Sequence, residues 1–370
     1  MLIYMTMLSE LTTAQVGGPA TDYVHATSEA DIIETIQRAD STGTPLLVIG
    51  GGSNMLVSDN GFDGIVLHIA SDGVEALPIP SCGGANVRVQ AGTNWDEFVQ
   101  TSIENSWVGP AALSGIPGTV GATPVQNVGA YGVEVKEFIA SVRTYDRETG
   151  RQKTFANADL KFGYRDSILK RTMTNGSPRY VVLTVDFQFE LGELSSPIRY
   201  AELARQLGVE PGDRVDSALV REKVLELRAS KGMVLNPEDR DTYSTGSFFT
   251  NPIVPLNALD KLPEDAPRFP VTKPGGLFGR GEEDPDHVKL SAAWLIQHAG
   301  FEKGFGLDGE SREIVGGRAS LSTKHTLAIT NRGDASAEDI FAIARAVRAG
   351  VKDAFGIELE PEPVVVNAVI

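Results

Sequence analysis

The sequence of 370 residues contains only one cysteine, Cys82. A single thiol excludes an intramolecular disulfide, a CxxC redox pair and a cysteine-ligated iron–sulfur cluster. Histidine is also scarce, and the five histidines show no HxxH, HxxxH or HExxH spacing. Because such spacings are typical of protein metal sites, we expect no metal centre. The lone thiol fits a reducing cytoplasm, which is the location that we expect.

Long apolar runs and an excess of basic residues are missing as well. No stretch approaches the roughly 20 consecutive apolar residues that a membrane-spanning helix needs, and residues 1–16 lack the basic and apolar regions of a signal peptide. The 33 Lys and Arg against 49 Asp and Glu give a formal charge of −16. An acidic surface repels phosphate, so we expect neither membrane insertion nor nucleic-acid binding.

The composition is that of a globular protein, with 41% hydrophobic and 22% charged residues. At roughly 150 residues per domain, the length predicts two or three domains. Apolar spacing predicts helices mixed with strands, and therefore an α+β fold, with a turn at the DRETG segment. Capping pairs at Ser28/Asp31 and Ser336/Asp339 mark two helix starts. The other predicted helices cover 94–105, 200–207, 216–230 and 290–298, and strands are predicted at 45–49, 87–91, 139–145, 180–190 and the C-terminal VVVNAVI.

Two segments have a composition of their own. Residues 191–215 are rich in Gly, Pro and Ser, which is typical of a seam between domains. Residues 263–285 carry many Pro, Gly and charged residues, which predicts a mobile surface loop. The chain is therefore expected to have an N-terminal and a C-terminal part, the second with a long loop.

Three consecutive glycines follow the predicted strand at 45–49. In IGGGSNMLVSD, residues 49–59, the glycines let the backbone turn tightly, and the N–H groups of such a turn can hold phosphate oxygens. The segment is neither a Walker loop nor a Rossmann fingerprint, because it contains no GKS, GKT or GxGxxG. A phosphate site and a turn without a ligand are equally good interpretations of these residues alone.

A longer glycine-rich stretch contains GIPGTVG at residues 115–121 and PVQNVGAYG at residues 124–132. Glycine at every third position, with an internal proline, disfavours both helix and strand, so we expect irregular backbone. Such a segment usually wraps a ligand. A purely structural Ω-loop is the alternative interpretation.

Basic residues cluster towards the end of the predicted helix at 216–230. At 3.6 residues per turn, Arg221, Arg228 and Lys231 fall on nearly one side. We call these three residues the positive strip, which could bind a pyrophosphate or a carboxylate on an otherwise acidic protein. A solvated helix face without a ligand is the alternative.

Five motifs occur in the order found in one enzyme family. They are GGGSNMLVSD, GIPGTVGATPVQNVGAYG, FGYRDS at residues 162–167, GSFFTNP at residues 246–252 and LEPE at residues 359–362. The first two resemble the FAD-binding domain of the vanillyl-alcohol-oxidase type. Together the five resemble the UDP-N-acetylenolpyruvoylglucosamine reductase family of bacterial peptidoglycan synthesis, in its lid-bearing form.

This resemblance implies a domain arrangement and a cofactor. The implied domains are an N-terminal extension at 1–19, an FAD-binding domain of two α+β lobes at 20–192, and a substrate-binding α+β domain at 193–370 with a lid at 263–285. FAD would be held without a covalent link, its pyrophosphate on glycine-rich backbone. The implied cofactor-binding residues are Gly50, Gly51, Gly52, Ser53, Asn54, Gly115, Gly118, Thr119 and Gly121.

The resemblance also implies a reaction and its catalytic residues. The family reduces the enol-ether double bond of UDP-N-acetylglucosamine enolpyruvate, with FAD as carrier and NADPH as hydride donor. Ser247 in GSFF would protonate the enolic carbon as general acid. Arg165 in GYRDS would steady the negative charge near the substrate carboxylate, and Glu362 in LEPE would assist as a protonated carboxyl. Glu358 and Glu360 are alternatives to Glu362.

Further positions match the family residues that contact the nucleotide sugar, namely Tyr131, Tyr200, Arg228, Lys231 and Asn251. The two tyrosines could equally serve in packing. The chain departs from the family pattern at Pro363 and Val364, where many relatives have Val and Arg. In the implied lid, Phe269 stands where other members often have tyrosine, so stacking on uracil remains but a phenolic hydrogen bond does not.

Two other functions are compatible with parts of the sequence. A related FAD-dependent oxidase or dehydrogenase of a small hydroxy acid or sugar alcohol would share the glycine motifs, but would leave GSFFTNP and the positive strip unexplained. A non-catalytic nucleotide-binding protein would be free to lose Arg165, Ser247 or Glu362, and all three are present. We expect a monomeric enzyme, with NADPH and NADH as alternative hydride donors.

Overall fold

The structure is a computed structural model that divides the chain into two compact units. It describes residues 5–78, 84–272 and 282–370. We call one unit the central unit, which comprises Thr21–Gly51 and Asp63–Val234. The other is the terminal unit, which comprises Met1–Ala20, Gly52–Phe62 and Leu235–Ile370. Cys82 and residues 273–281, in the middle of the predicted lid, lie outside the described residues.

The described residues contain seven α-helices, and most begin at a side chain that accepts the free N–H groups of the first turn. Ser28 and Asp31 form the predicted capping box at the first helix. No described helix is both long and apolar enough to cross a membrane. The helices are α1 Glu29–Thr42, α2 Trp95–Glu104, α3 Ile168–Arg171, α4 Ala201–Leu207, α5 Ser217–Ser230, α6 Ala292–His298 and α7 Ala337–Phe355.

Strands are distributed along the whole chain between these helices. The strands are β1 Ala20–Ala26, β2 Leu46–Ile49, β3 Met55–Val57, β4 Phe62–Ile69, β5 Val74–Leu77, β6 Ala85–Gln90, β7 Trp107–Val108, β8 Gly129–Ala130, β9 Val133–Glu134, β10 Ile139–Asp146, β11 Arg151–Ala156, β12 Met173–Thr174, β13 Ser177–Pro178, β14 Tyr180–Leu191, β15 Ile253–Pro255, β16 Arg268–Thr272, β17 Glu283–Leu290, β18 Ala319–Leu321, β19 Ile329–Asn331 and β20 Val364–Val366. The predicted strands at 45–49, 87–91, 139–145 and 180–190 correspond to β2, β6, β10 and β14.

Two main sheets form the central unit. One has the order β1-β4-β2, and its strands β2 and β4 run parallel with Leu46 opposite Ile65. The other is antiparallel, has the order β11-β10-β14-β6-β5, and also pairs β7 with β14. The hairpin from β10 to β11 pairs Asp146 with Arg151, which confirms the turn predicted at DRETG. Helix α2 packs against this sheet, since Phe98 of α2 and Phe187 of β14 are both fully buried with ring centroids 5.0 Å apart.

The segment that follows β14 packs with the central unit. Leu203 of α4 and Val224 of α5 are buried in the same core as Phe187. Residues 193–234 therefore belong to this unit, whereas the sequence placed the domain boundary before them. Glycine, proline and serine are frequent there because the chain turns between short helices, and composition alone does not separate such turns from a domain seam.

The terminal unit contains residues from both ends of the chain. Strand β20 runs parallel to β3, with Val364 opposite Met55. Strands β15, β17 and β16 form an antiparallel sheet in that order, and β18 pairs with β19. The predicted N-terminal extension contributes Ala14 and Val16 to the core of this unit, and the Asn331 side-chain amide donates to the Ala14 carbonyl at 3.0 Å.

Two predictions differ from the structure in this unit. The loop predicted at 263–285 includes β-structure at both ends, because β16 and β17 pair with Pro270 opposite Val288. Because many residues there are charged, the sequence does not show the alternation of apolar and polar residues that predicts a strand, although Val288 is buried. The strand predicted for VVVNAVI ends at Val366, because Asn367 has a left-handed backbone with φ 56°.

Asp59 caps the start of helix α7 although it is distant from that helix in sequence. Its carboxylate accepts the N–H groups of Ala337 at 2.8 Å and Glu338 at 3.0 Å. We expect Asp59→Ala to lower the free energy of unfolding in urea by about 1 kcal/mol, because two helix donors lose their acceptor. Asp63→Ala, at an exposed strand carboxylate, should change it by less than about 0.5 kcal/mol. Equal losses in the two variants would contradict the capping role.

Candidate active site

The two glycine-rich motifs meet in the central unit. A Cβ on Gly50 would come within 2.6 Å of the Thr119 hydroxyl oxygen, and one on Gly51 within 2.7 Å of the Gly118 Cα. Because side chains cannot be accommodated at such distances, only glycine allows this approach. The turn after β2 therefore lies directly against the second glycine-rich segment.

Main-chain amides at this junction are suited to an anion. Within the described ranges, the N–H groups of Gly50, Gly51 and Gly118 donate to no backbone carbonyl. Neighbouring N–H groups without a main-chain acceptor can hold an anion. The diphosphate of FAD can accept hydrogen bonds from such amides, so these residues fit the cofactor predicted from the sequence.

The rest of the first motif belongs to the terminal unit, namely Gly52, Ser53 and Asn54. A Cβ on Gly52 would overlap the Leu11 carbonyl oxygen, so this glycine is required for packing. The Asn54 carbonyl accepts the Val364 N–H at 2.9 Å, and its side-chain amide donates to the Glu362 carbonyl at 3.5 Å. Asn54 therefore holds the segment that carries a predicted catalytic carboxylate.

The second motif is fixed to the start of helix α2 and to the end of β6. The Gly115 N–H donates to the Asp96 carboxylate at 2.5 Å. The Gly121 N–H donates to the Ala91 carbonyl at 2.8 Å, and a Cβ on Gly121 would come within 2.6 Å of the Ala91 Cβ. Contacts within the protein thus account for Gly115 and Gly121, and a role for them in FAD binding stays a prediction.

Asp96 anchors this segment and was not singled out from the sequence. Arg221 of α5 donates to both of its carboxylate oxygens, at 2.6 and 2.8 Å. Burial raises the pKa of Asp96, but the hydrogen bonds from Arg221 and from Gly115 outweigh this effect and leave the pKa below its usual value. The two partners are 125 residues apart in sequence, so no local pattern could have paired them.

The positive strip is largely neutralised by carboxylates. Arg221 pairs with Asp96 as described, and the Lys231 ammonium pairs with Glu202 of α4 at 2.6 Å. Arg228 differs from both, because its Nη2 donates to a main-chain carbonyl, that of Met233, at 2.9 Å. Burial lowers the pKa of the Arg228 guanidinium. Helical spacing identified the cations but could not reveal the carboxylates that neighbouring elements bring to them.

Arg228 lies near Tyr131, one of the two tyrosines that were predicted to contact substrate. The rings of Tyr131 and Tyr200 meet edge to face, with centroids 5.6 Å apart. Burial raises the pKa of Tyr131, and the positive charge of Arg228 offsets part of that rise. A guanidinium and a phenol that are both largely shielded from water suit a phosphate group, because charge-assisted hydrogen bonds are strongest there.

Arg165 is held in a left-handed backbone conformation, with φ 52°. Its guanidinium donates to the Gly129 carbonyl at 2.8 Å, and the Lys170 ammonium donates to the Arg165 carbonyl at 3.1 Å. The Ser167 hydroxyl donates to the Val125 carbonyl at 2.5 Å. These bonds join the FGYRDS turn to PVQNVGAYG, so two of the motifs act as one structural element.

Asn127 is a residue of this element that the sequence analysis missed. It is fully buried and left-handed, with φ 48°. Its amide donates to the Gly163 carbonyl at 2.9 Å and to the Glu134 carboxylate at 3.0 Å, and its oxygen accepts the Lys136 N–H at 3.3 Å. Asn127 thereby fixes the turn that carries Arg165. The available signal was an asparagine among glycines, since asparagine tolerates the left-handed region.

Ser247 and Glu362 lie on paired segments of the terminal unit. The Glu362 N–H donates to the Phe248 carbonyl at 2.8 Å, and the Thr250 N–H donates to the Glu360 carbonyl at 3.0 Å. Ser247 immediately precedes Phe248, so the pairing brings the backbones of the predicted general acid and the predicted carboxylate side by side. Both residues are half-buried.

One alternative to Glu362 is engaged in ion pairs. Glu358 accepts from Arg348 at 2.5 Å and from Lys352 at 3.1 Å, both on α7. The hydrogen bond from Lys352 lowers the pKa of Glu358. A carboxyl that is held ionised in this way is a poor proton source, which favours Glu362 over Glu358.

Two further predicted substrate contacts lie in the terminal unit. The side-chain oxygen of Asn251 accepts the Ala292 N–H at 2.9 Å, at the start of α6. Asn251 therefore supports a helix, and its contact with substrate stays a prediction. Phe269 of β16 is 44% exposed, which leaves its ring accessible for the stacking contact that was predicted.

We expect Asp96→Asn to destabilise the protein in neutral solution more than in acid. The folded pKa of Asp96 lies below the unfolded value of about 3.9. Its contribution to stability is therefore complete above that pH and is lost as the pH falls through the lower, folded pKa.

Urea unfolding at pH 7 should show a loss of about 1 kcal/mol for Asp96→Asn, a modest value because Asp96 is partly exposed. The loss should shrink below about pH 4. Asp22→Asn, which breaks an exposed ion pair with Arg38, should change the free energy of unfolding by less than about 0.5 kcal/mol at either pH. A loss for Asp96→Asn that did not depend on pH would contradict the assignment.

Sequence profiles of two families match this chain. The profile described as UDP-N-acetylenolpyruvoylglucosamine reductase, C-terminal domain, matches residues 236–366. The profile described as FAD binding domain matches residues 20–156. The first range contains Ser247 and Glu362, and the second contains the glycine junction at Gly50 and Gly118, so the cofactor prediction is confirmed.

Curated proteins named UDP-N-acetylenolpyruvoylglucosamine reductase align with almost the whole chain. The protein of Cutibacterium acnes is 53% identical over 363 residues, which are 98% of this chain and 90% of that protein. The protein of Streptomyces coelicolor is 48% identical, with coverage of 98% and 90%. The protein of Mycolicibacterium smegmatis is 44% identical, with coverage of 98% and 95%.

A solved structure confirms the predicted α+β fold. The crystal structure of UDP-N-acetylenolpyruvylglucosamine reductase from Thermus caldophilus matches with a TM-score of 0.57 at 23% identity, over 98% of this chain and 97% of that chain. At that identity the likeness concerns the fold alone. The full-length identities of 44% to 53% and the C-terminal profile show that the chain belongs to the UDP-N-acetylenolpyruvoylglucosamine reductase family.

Proposed function

We propose that this protein reduces UDP-N-acetylglucosamine enolpyruvate to UDP-N-acetylmuramate, with NADPH as hydride donor and noncovalently bound FAD, in peptidoglycan precursor synthesis. The observation that carries this proposal is the backbone pairing of Phe248 with Glu362, which holds Ser247 beside the predicted carboxylate. The names of the full-length relatives support the same reaction. We further infer a monomeric enzyme of the cytoplasm.

The amides of Gly50, Gly51 and Gly118 would hold the diphosphate of FAD. Bound FAD supplies a hydride, which no side chain can give. The protein would supply the remaining requirements of the reaction, which are a proton, stabilisation of negative charge and exclusion of water.

Three side chains would meet those requirements. The Ser247 hydroxyl would deliver its proton to the enolic carbon, and a polar and dry site is needed because a serine is a weak acid. The planar guanidinium of Arg165 would bind the two oxygens of the substrate carboxylate and stabilise the negative charge that develops there. Glu362, as a protonated carboxyl, would donate a hydrogen bond to the same developing charge.

The nucleotide end of the substrate would be bound by the central unit. The rings of Tyr131 and Tyr200 meet edge to face, and the guanidinium of the half-buried Arg228 lies near Tyr131. Lys231, which forms an ion pair with Glu202, would add its positive charge to this site. This arrangement suits a sugar diphosphate, because the rings offer apolar contact and the guanidinium binds phosphate oxygens.

The function is tested on the purified protein. It should show a flavin absorption spectrum, and its oxidation of NADPH should depend on UDP-N-acetylglucosamine enolpyruvate. Small hydroxy acids and sugar alcohols, offered in place of the nucleotide sugar, should give no turnover. A protein that cannot be loaded with FAD, or that turns over the small alcohols instead, would end the proposal.

Ser247→Ala should separate the two halves of the reaction. We expect bleaching of the flavin by NADPH to stay near the native rate, because that step needs no proton from Ser247. Recovery of the flavin colour on adding the nucleotide sugar should slow by about 10²–10⁴-fold, the usual contribution of a general acid. Stopped-flow absorbance measures both rates, and Ser247→Cys should recover part of the loss because a thiol can also donate a proton. Equal losses in both steps would remove Ser247 from the acid role.

A further inference from the structure

The segment that carries Ser247 pairs with Glu362, and it also makes backbone contacts with a second segment of the chain. Ser244 forms a bridge with Thr330, the middle residue of β19. The Phe248 N–H donates to the Leu327 carbonyl at 2.7 Å. We call residues 327–331 the partner segment, since the backbone around Ser247 runs antiparallel to it.

The two segments do not have equal length between these contacts. Ser244 and Phe248 are four residues apart in sequence, whereas Leu327 and Thr330 are three residues apart. The extra residue is accommodated by a left-handed Gly246, with φ 75°. The unequal count shows that the backbone around Ser247 departs from a regular antiparallel ladder, and such a departure changes the direction of neighbouring side chains. The direction of the Ser247 hydroxyl therefore depends on a firmly held partner segment.

A single carboxylate, Asp241, holds the partner segment from both ends. It is 5% exposed. It accepts the Thr323 N–H at 2.8 Å, the Thr323 hydroxyl at 2.5 Å and Nη2 of Arg332 at 2.9 Å. Thr323 precedes the partner segment and Arg332 follows it directly. Asp241 itself stands six residues before Ser247, so one side chain links the approach to Ser247 with the strand beside it.

The charge of Asp241 is stabilised in place. Burial raises the pKa of Asp241, but the hydrogen bonds from Thr323 and the charge of Arg332 outweigh that effect and lower the pKa overall. Arg332 extends the network, since its Nε donates to the Ser320 hydroxyl at 2.7 Å and its Nη2 to the Leu321 carbonyl at 3.1 Å. Loss of the carboxylate charge would leave the Arg332 guanidinium, whose side chain is 14% exposed, without its counter-charge, which is destabilising.

We propose that Asp241 is a positioning residue for Ser247, and that its buried carboxylate fixes the irregular backbone at Gly246 from which the serine hydroxyl reaches the substrate. The inference rests on the proposed function, because it assumes that Ser247 protonates the enolic carbon. A displacement of a reacting group by about 1 Å costs about 100-fold in rate. Loss of the Asp241 charge should therefore affect the step that uses Ser247 and spare the step that does not.

The test compares Asp241→Asn with a matched control, Asp339→Asn. Asp339 is 6% exposed, belongs to the same unit and binds Arg318 through both oxygens at 2.6 and 2.9 Å, but it serves the start of α7. Both variants are prepared with FAD and mixed with NADPH, and then with the enolpyruvyl nucleotide sugar. For Asp241→Asn we expect flavin recovery to slow by about 10- to 100-fold while bleaching stays within about twofold. For Asp339→Asn both rates should stay within about twofold, although urea unfolding shows a loss of stability.

A second pair of variants serves if Asp241→Asn does not fold. Thr323→Val removes one hydrogen bond to Asp241 and should slow recovery alone, and Thr323→Ser, which keeps the hydroxyl, should restore the native rate. The inference is overturned if recovery is unchanged in Asp241→Asn or in Thr323→Val, or if bleaching and recovery fall by the same factor. If the native protein itself shows no sugar-dependent recovery, the proposed function fails first, so the two failures are distinguishable.

Discussion

Within each unit taken by itself, hydrogen bonds of the main chain hold the segments that carry the predicted site residues. In the terminal unit, Phe248 donates to the Leu327 carbonyl and accepts from Glu362. In the central unit, the Gly115 N–H donates to the Asp96 carboxylate and the Gly121 N–H to the carbonyl of Ala91, directly after β6. Because every residue except proline offers the same N–H and C=O groups, this scaffold leaves the side chains for chemistry.

The glycines of the motifs fall into two groups that the sequence does not separate. Gly50 and Gly51 approach Thr119 and Gly118 closely, and the N–H groups of Gly50, Gly51 and Gly118 are the ones that would hold the diphosphate of FAD under the proposed function. Gly52 and Gly121 allow close packing against neighbouring backbone or a small side chain. A glycine that packs against protein and a glycine that faces a ligand look alike in a motif, since both are defined by the absence of a side chain.

Periodicity predicted most helices and the longer strands, because these elements bury one face and show it in their spacing. The strands within the predicted lid were missed, since exposed charges outnumber buried residues such as Val288. The roles of Arg165, Ser247 and Glu362 came from resemblance to a family and not from their spacing. The partners of Asp96, Asn127 and Asp241 could not be predicted, because each contact joins residues that meet only in the folded chain.

Left-handed backbone at Asn127, Tyr131 and Arg165 has a consequence for attempts to stabilise this protein by substitution. Each position has φ between 48° and 52°, where glycine is the residue with the lowest intrinsic cost. Glycine at Tyr131 or Arg165 would remove that backbone cost, but it would also remove the ring that meets Tyr200 and the guanidinium that donates to the Gly129 carbonyl. Free energy gained in the backbone would be offset by lost side-chain contacts, so neither position is a simple target for a stabilising substitution.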